Sequence, residues 1–344
     1  MIEYLPWSHI THKYNMEKYA KGSLSCLDIE LGGECNYHCV YCDSPDRKKK
    51  CSISVQAIGK LLSTGQFQWI YICGLGEPTF NQNQKVLIQL LEYCRIYGVR
   101  CSIFSNLSQL TDELVQFVQE GILHLFFKYD SDNLVINRAL YGTSDIRNQL
   151  DNVKRLRRLV QITDGMTNMA ASIVPTRLNK EYVLPIVQEC LDSNIFPLLG
   201  ELELSGKGET NYENLYLTTE ELLELKEKIE IIIGESYSIP ICPSVISGIH
   251  FSHDGYITVD RFSGLSCHWF WLKEPQVERI MPFTLESDLN VITEKILKYR
   301  DGCMDNVKNY LELEQRVGGA FGGCGGDIHQ LFREYLEYHR RDIK

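Results

Sequence analysis

Residues 34–45 read ECNYHCVYCDSP and set Cys35, Cys39 and Cys42 in the spacing C-x3-C-x2-C. Thiolates select zinc, copper(I) or iron–sulfur clusters. A structural zinc site takes four protein ligands, usually as two separated pairs, and no partner pair stands near this one. His38 could be a fourth ligand, but it adjoins Cys39 and would strain a tetrahedral cage. A cubane of four irons suits the spacing better, because each thiolate binds a different iron. Three cysteines then leave one iron open to a small molecule, the logic of a catalytic metal site.

The other cysteines sort by context. The chain has 344 residues and 13 cysteines. Cys26, Cys73, Cys94, Cys101 and Cys190 sit in apolar strand or helix patterns and read as small buried hydrophobes. Cys51 lies in a polar loop and is undecided, whereas Cys242, Cys267, Cys303 and Cys324 spread over the C-terminal third. The first residues show no apolar export segment, so a cytoplasmic location is expected, where thiols stay reduced and metal binding or catalysis is favoured over disulfides. No apolar run approaches ~18 residues, so no membrane span is expected. A net charge of −10 argues against bulk nucleic-acid binding. The one basic run, Arg47-Lys48-Lys49-Lys50, reads as a solvated loop or as a patch for an anionic substrate or acidic redox partner.

Positioning the first cluster requires a scaffold, and the chain alternates strand-like and helix-like stretches. Strands are expected at 24–31, 69–75, 99–106, 122–130, 169–176 and 197–204. Between them run helical patterns such as SVQAIGKLL, NQKVLIQLLEYCRIYG and TDELVQFVQEG, with Asp and Thr caps and terminal glycines. Six β–α units predict a parallel sheet that is too short for an eight-strand barrel, hence an open, partial (β/α)6 barrel. Ligands of parallel α/β folds sit beyond the C-terminal strand ends, where Ser105, Asn106, Lys128, Asp130 and Ser131 fall. Glu201, Glu203 and Ser205 are expected along one face of the sixth strand. The character changes near residue 217, where LTTEELLELKEKIEIIIG predicts a capped helix and HDG (253–255) a hairpin turn. The expected organisation is an extension (1–23), the barrel (24–216) and a small α+β region (217–344) with a C-terminal helix.

C-x3-C-x2-C on the loop after the first strand of such a barrel resembles the radical S-adenosylmethionine (SAM) enzymes. Tyr41 stands where that family usually has an aromatic residue. The resemblance implies a 4Fe-4S cluster on Cys35, Cys39 and Cys42 that binds SAM through its open iron, and cleavage of SAM to a 5′-deoxyadenosyl radical that abstracts hydrogen. It also implies a flavodoxin- or ferredoxin-type electron donor. A second match follows the second strand: Gly74-Leu75-Gly76-Glu77-Pro78 is similar to the family's G-G-E-P segment, with Leu75 replacing one glycine. In the family this segment binds the SAM amino group. Glycine permits close backbone approach, and a carboxylate can accept from an ammonium. The resemblance further implies SAM contacts at the strand ends, best matched by Ser105, Asn106 and Ser131.

The C-terminal cysteines resemble, more loosely, the twitch domain, the short relative of SPASM, in which cysteines around a hairpin hold an auxiliary 4Fe-4S cluster. Cys242, Cys267, Cys303 and Cys324 are the corresponding ligands, and Cys324 sits in the glycine-dense GGAFGGCGGD. A three-ligand cluster, a zinc site or a hydrogen-donating cysteine are the alternatives. The expected activity is dehydrogenation or epimerisation of a small polar natural product. Cys73, beside the GLGEP turn, and Cys51 are candidate hydrogen donors for epimerisation. A peptide- or protein-modifying enzyme is the second reading, although the roughly two dozen residues before the first strand leave no room for a winged-helix peptide-binding domain. Cyclisation of GTP is disfavoured, because the tail lacks the expected arginine-bearing glycine pattern. A non-catalytic iron–sulfur sensor or electron carrier has no use for a GLGEP-type SAM site.

Overall fold

A computed structural model describes residues 24–42, 48–72, 74–143, 146–162, 168–202, 206–239, 244–261, 263–266, 277–303, 305–306 and 320–321. Six strands form in chain order: β1 (Cys26–Ile29), β2 (Trp69–Ile72), β3 (Arg100–Ser105), β4 (Leu123–Lys128), β5 (Met169–Ile173) and β6 (Phe196–Leu199). All six pair in parallel with their sequence neighbours. Leu27, Ile70, Cys101 and Leu123 lie in register on one face and are fully buried, as a sheet sandwiched between layers demands.

Helices α1 (Val55–Leu62), α2 (Asn81–Tyr97), α3 (Asp112–Gln119), α4 (Leu134–Tyr141), α5 (Arg147–Ile162) and α6 (Lys180–Asp192) connect these strands. Their ends follow the residue types. The Ser54 and Thr111 side chains accept from Ala57 and Leu114 amides to start α1 and α3. Gly98 takes a left-handed φ of 67° to close α2. Short helices α7 (Gly206–Thr210) and α8 (Tyr212–Leu215) follow β6. They lead to α9 (Thr219–Ile233), opened by a reciprocal capping box between Thr218 and Glu221.

The chain then returns across the sheet. After a turn of helix, α10 (Ser244–Ser247), strand β7 (Gly248–Phe251) pairs in parallel with β1 on its free side. The HDG turn reverses it into β8 (Tyr256–Asp260), and β9 (Val277–Pro282) adds a further antiparallel strand before α11 (Leu289–Gly302). The sheet therefore runs β6-β5-β4-β3-β2-β1-β7-β8-β9 and stays open, a partial barrel. The hairpin that the sequence places in the C-terminal region continues the barrel sheet. The inner face, which carries Phe104, also holds a buried polar row in register: His250, Asp28, Tyr71, Ser102 and His124. Buried polar groups need partners, and Trp69 Nε1 supplies one to Ser102 Oγ at 2.7 Å.

Candidate functional site

The cysteine loop leaves the C-terminal end of β1 without regular structure, so its backbone must find partners elsewhere. Gly33 N–H donates to Lys49 O at 2.7 Å, and His38 and Val40 N–H donate to Tyr141 O and Leu140 O at 2.8 and 2.9 Å. From the far side, Lys207 N–H reaches Cys42 O at 2.8 Å and Asn211 Nδ2 reaches Val40 O at 2.7 Å. Tyr37 stacks on Tyr141 with ring centroids 5.6 Å apart. Helix α4 can lie this close because it ends at Gly142, whose φ is 59° and whose missing side chain would overlap His38 O.

These contacts turn Cys35, Cys39 and Cys42 into one cavity of ≈ 200 Å³, shared with Gly76, Glu77 and Lys128. Cys35 Sγ accepts from the Tyr37 amide at 3.4 Å and from Asn106 Nδ2 at 3.9 Å. Burial pushes the Cys39 thiol well up; Lys128 opposes this, and Cys35 and Cys42 add to it. A buried thiol among thiols becomes a thiolate only with a cation to bear it, which metal supplies. His38 is exposed and does not line the cavity, so the cavity offers sulfur ligands without imidazole. Among the described residues no three His, Cys, Asp or Glu side chains are gathered closely enough for a single metal ion. Three thiols on one cavity suit a cubane, one thiolate per iron.

The turn after β2 forms the opposite wall. Gly76 has φ 63°, and a Cβ there would collide with Gly32 O and come within 2.6 Å of Glu34 O. The backbone contact is sealed by Glu77 N–H donating to Glu34 O at 2.8 Å. Asn83, buried in the first turn of α2, staples the two segments: Oδ1 accepts from Gly32 N–H at 2.9 Å, and Nδ2 donates to Gly32 O at 2.8 Å and Glu77 O at 3.2 Å. The Glu77 carboxylate is buried under four donors. Oε1 accepts from Thr79 N–H (3.0 Å), Thr79 Oγ1 (2.7 Å) and Ser105 Oγ (2.7 Å), and Oε2 accepts from Asn106 N–H at 2.6 Å. Burial still raises its pKa, against the pull of the Asn106, Ser105 and Thr79 bonds. A desolvated carboxylate with its second oxygen only singly engaged is suited to a cationic ligand group.

Tyr41 donates to Asp130 Oδ2 at 2.5 Å, across 89 positions of sequence. Ser105, Asn106, Tyr41 and Gly74 line the cavity with the thiols. Ser131 does not line it; it is fully buried, and its Oγ accepts from Asn133 N–H at the start of α4. Cys51 packs against the core away from the cavity, its thiol raised by burial. Cys73, Cys242, Cys267 and Cys324 lie outside the described residues, as do Glu203 and Ser205. Cys303 is buried at the end of α11, with Sγ 3.8 Å from Arg261 O. Glu201 lies beyond β6, which ends at Leu199, and accepts from Phe321 N–H at 3.3 Å. Asn83 and Thr79 escape sequence reading; an Asn in the first helical turn after GEP is the one signal that could have marked the former.

Residues 29–170 match the Radical SAM superfamily profile. No curated protein matches the chain. Among solved structures, SuiB of Streptococcus suis bound to the precursor peptide SuiA is 14% identical with a TM-score of 0.51, covering 82% of this chain and 68% of its own. The S-adenosylmethionine-bound form of SuiB is similar, at 15% identity and TM-score 0.51 over 81% and 68% of the two chains. Native anSMEcpe with bound AdoMet and Kp18Cys peptide is 14% identical with a TM-score of 0.55, covering 92% and 97%. Identities this low carry the fold alone. The profile match makes residues 29–170 a Radical SAM superfamily region, and it is this region that holds the cavity of three thiols against a GEP turn.

Proposed function

We propose that this chain abstracts hydrogen from a peptide substrate presented at the C-terminal ends of the strands. The observation that carries the radical reading is the single cavity that joins Cys35, Cys39 and Cys42 to Glu77. A 4Fe-4S cluster held by these thiols, with SAM on its open iron, would supply the one-electron cleavage that yields a 5′-deoxyadenosyl radical. The chain's own groups do the positioning. Glu77 would offer its carboxylate to the SAM ammonium, while Thr79, Ser105 and Asn106 hold that carboxylate in place. Gly76 keeps this turn against the cysteine loop, and Tyr41 and Phe104 line the space beside it. A peptide is favoured over the small natural product because both sets of fold neighbours include a peptide-bound form.

A second cluster on Cys242, Cys267, Cys303 and Cys324 is part of this proposal, and it would accept an electron from a substrate radical, giving oxidation. Supporting it, the described residues beside these cysteines are tied together. Ile239 N–H donates to Phe321 O at 2.9 Å, each three residues before Cys242 and Cys324. Ser266, next to Cys267, donates to Ser244 O, two residues after Cys242. Arg300 Nε donates to Gly264 O at 2.7 Å, three residues before Cys303 and Cys267 respectively.

The test is anaerobic incubation of reconstituted protein with SAM, dithionite and candidate peptides carrying deuterium at Cα or Cβ. Deuterium transfer into 5′-deoxyadenosine from a peptide supports the proposal. No 5′-deoxyadenosine under any condition favours an iron–sulfur sensor, and transfer from small polyols or aminocyclitols alone restores the small-molecule reading.

A further inference from the structure

Tyr41, Lys128 and Asp130 form a charged unit beside the thiols whose work goes beyond holding SAM. Asp130 is fully buried, and both of its oxygens are engaged. Oδ1 accepts from Val174 N–H at 2.7 Å, and Oδ2 accepts from the Tyr41 hydroxyl at 2.5 Å and faces Lys128 Nζ at 3.4 Å. Lys128 Nζ also lies 4.9 Å from the centroid of the Tyr41 ring, within cation–π range. The Lys128 side chain is 19% exposed and lines the cluster cavity. Tyr41 stands between Cys39 and Cys42, so the phenol ties the cysteine loop to both charges at once. Backbone bonds brace the pair from behind: Asn179 Nδ2 donates to Asp130 O at 3.0 Å, and Gln149 Nε2 donates to Lys128 O at 2.8 Å. A cation and an anion are thus fixed beside the loop, in a place where water screens them little.

Reducing a cluster adds one electron and breaks no bond, so nearby fixed charges enter its cost directly. A cation favours the added electron and an anion opposes it. Lys128 lines the same cavity as the three thiols, and Asp130 stands behind it, bonded to the Tyr41 hydroxyl. We propose that Lys128 and Asp130 set the reduction potential of the cluster on Cys35, Cys39 and Cys42: Lys128 eases entry of the electron, and Asp130 limits that effect while pinning Lys128 and Tyr41 in place. The proposal rests on the cluster reading above. The electron comes from a low-potential donor of the flavodoxin or ferredoxin class, or from dithionite in the test.

The experiment is a potentiometric titration of the reconstituted full chain with dithionite and mediators, followed by the EPR signal of the reduced cluster, with iron counted in each variant. Cys303→Ala serves as the background throughout, so that the signal reports the first cluster. Lys128→Met shifts the midpoint negative, Asp130→Asn shifts it positive, and Lys128→Arg stays at the parent value. A loosened, wetter site would move both neutralising variants the same way, so opposite signs separate charge from structure. Shifts of the same sign, or none, at full iron content overturn the proposal. If Asp130→Asn loses its iron, the Lys128 pair decides alone: a negative shift in Lys128→Met but not Lys128→Arg supports the proposal, and equal potentials overturn it. A parent protein that takes up no four-iron cluster overturns the underlying reading instead, and is seen before any variant is made.

Discussion

Replacing Glu77 by Gln tests the logic of the GEP turn at one atom. The carboxylate accepts four hydrogen bonds and donates none, and two of its donors are backbone N–H groups, on Thr79 and Asn106. These two approach different oxygens. An amide has one accepting oxygen, so either orientation of Gln turns its NH2 against a backbone N–H that cannot rotate away. The Thr79 and Ser105 hydroxyls can turn to accept, but neither amide can. One buried N–H therefore loses its acceptor in every arrangement, at a cost of about 1–3 kcal/mol. Urea unfolding of the apoprotein, read at equal m-value, should show a loss in that range. The charge is lost as well, so SAM binding should weaken by roughly ten- to a hundredfold, the worth of a hydrogen bond to a charged group. Acidity adds a signature. Burial raises Glu77 above its ordinary 4.5 in the folded chain, so its ionisation reduces stability as the pH climbs from 4.5 through the raised value. SAM affinity changes the other way, weakening as the pH falls through that value and the carboxyl takes a proton. Glu77→Gln should abolish both slopes. A variant within ~0.5 kcal/mol of the parent, with unchanged SAM affinity, would refute the assignment of these donors.

Four further substitutions have expected outcomes. Gly76→Ala forces a side chain to φ 63° against the cysteine-loop backbone, so it should lose more than the ~1–2 kcal/mol of left-handed strain and reduce iron uptake. Gly121→Ala, at φ 71° in open space, should show the strain alone in the same melts. Asn83→Ala leaves the buried Gly32 N–H without its acceptor, and a loss of about 1–3 kcal/mol is expected by denaturant unfolding. Cys303→Ala should lower bound iron from about eight to about four per chain while leaving uncoupled SAM cleavage in place, measured by iron assay and chromatography of 5′-deoxyadenosine.

What the sequence reveals here depends on how local each interaction is. The six parallel strands are legible because short, mostly apolar runs alternate with amphipathic helices. The cysteine loop is legible because its three ligands fall within eight positions. Helix α4 is not, since its eight residues, LVINRALY, span barely two turns and its buried side includes the polar Asn137. The pairing of β7 with β1 joins residues more than two hundred positions apart, and no pattern within either strand announces it. The same holds for the Tyr41–Asp130 bond. The sixth strand reads too long because GELEL alternates like a strand, whereas pairing with β5 ends at Leu199. The inner polar row hides for a similar reason: Asp28, Tyr71 and Ser102 look like interruptions until register aligns them.

The backbone of the cysteine loop is tied to the rest of the chain through Tyr141, Leu140, Lys49, Lys207 and Asn211. In a zinc finger the metal supplies the folding energy, and the apo chain is a coil. Bonds of this kind do not depend on a metal, so chelating the iron should leave a chain that still unfolds cooperatively in urea, and a chain that unfolds on chelation would assign the loop's order to the cluster instead.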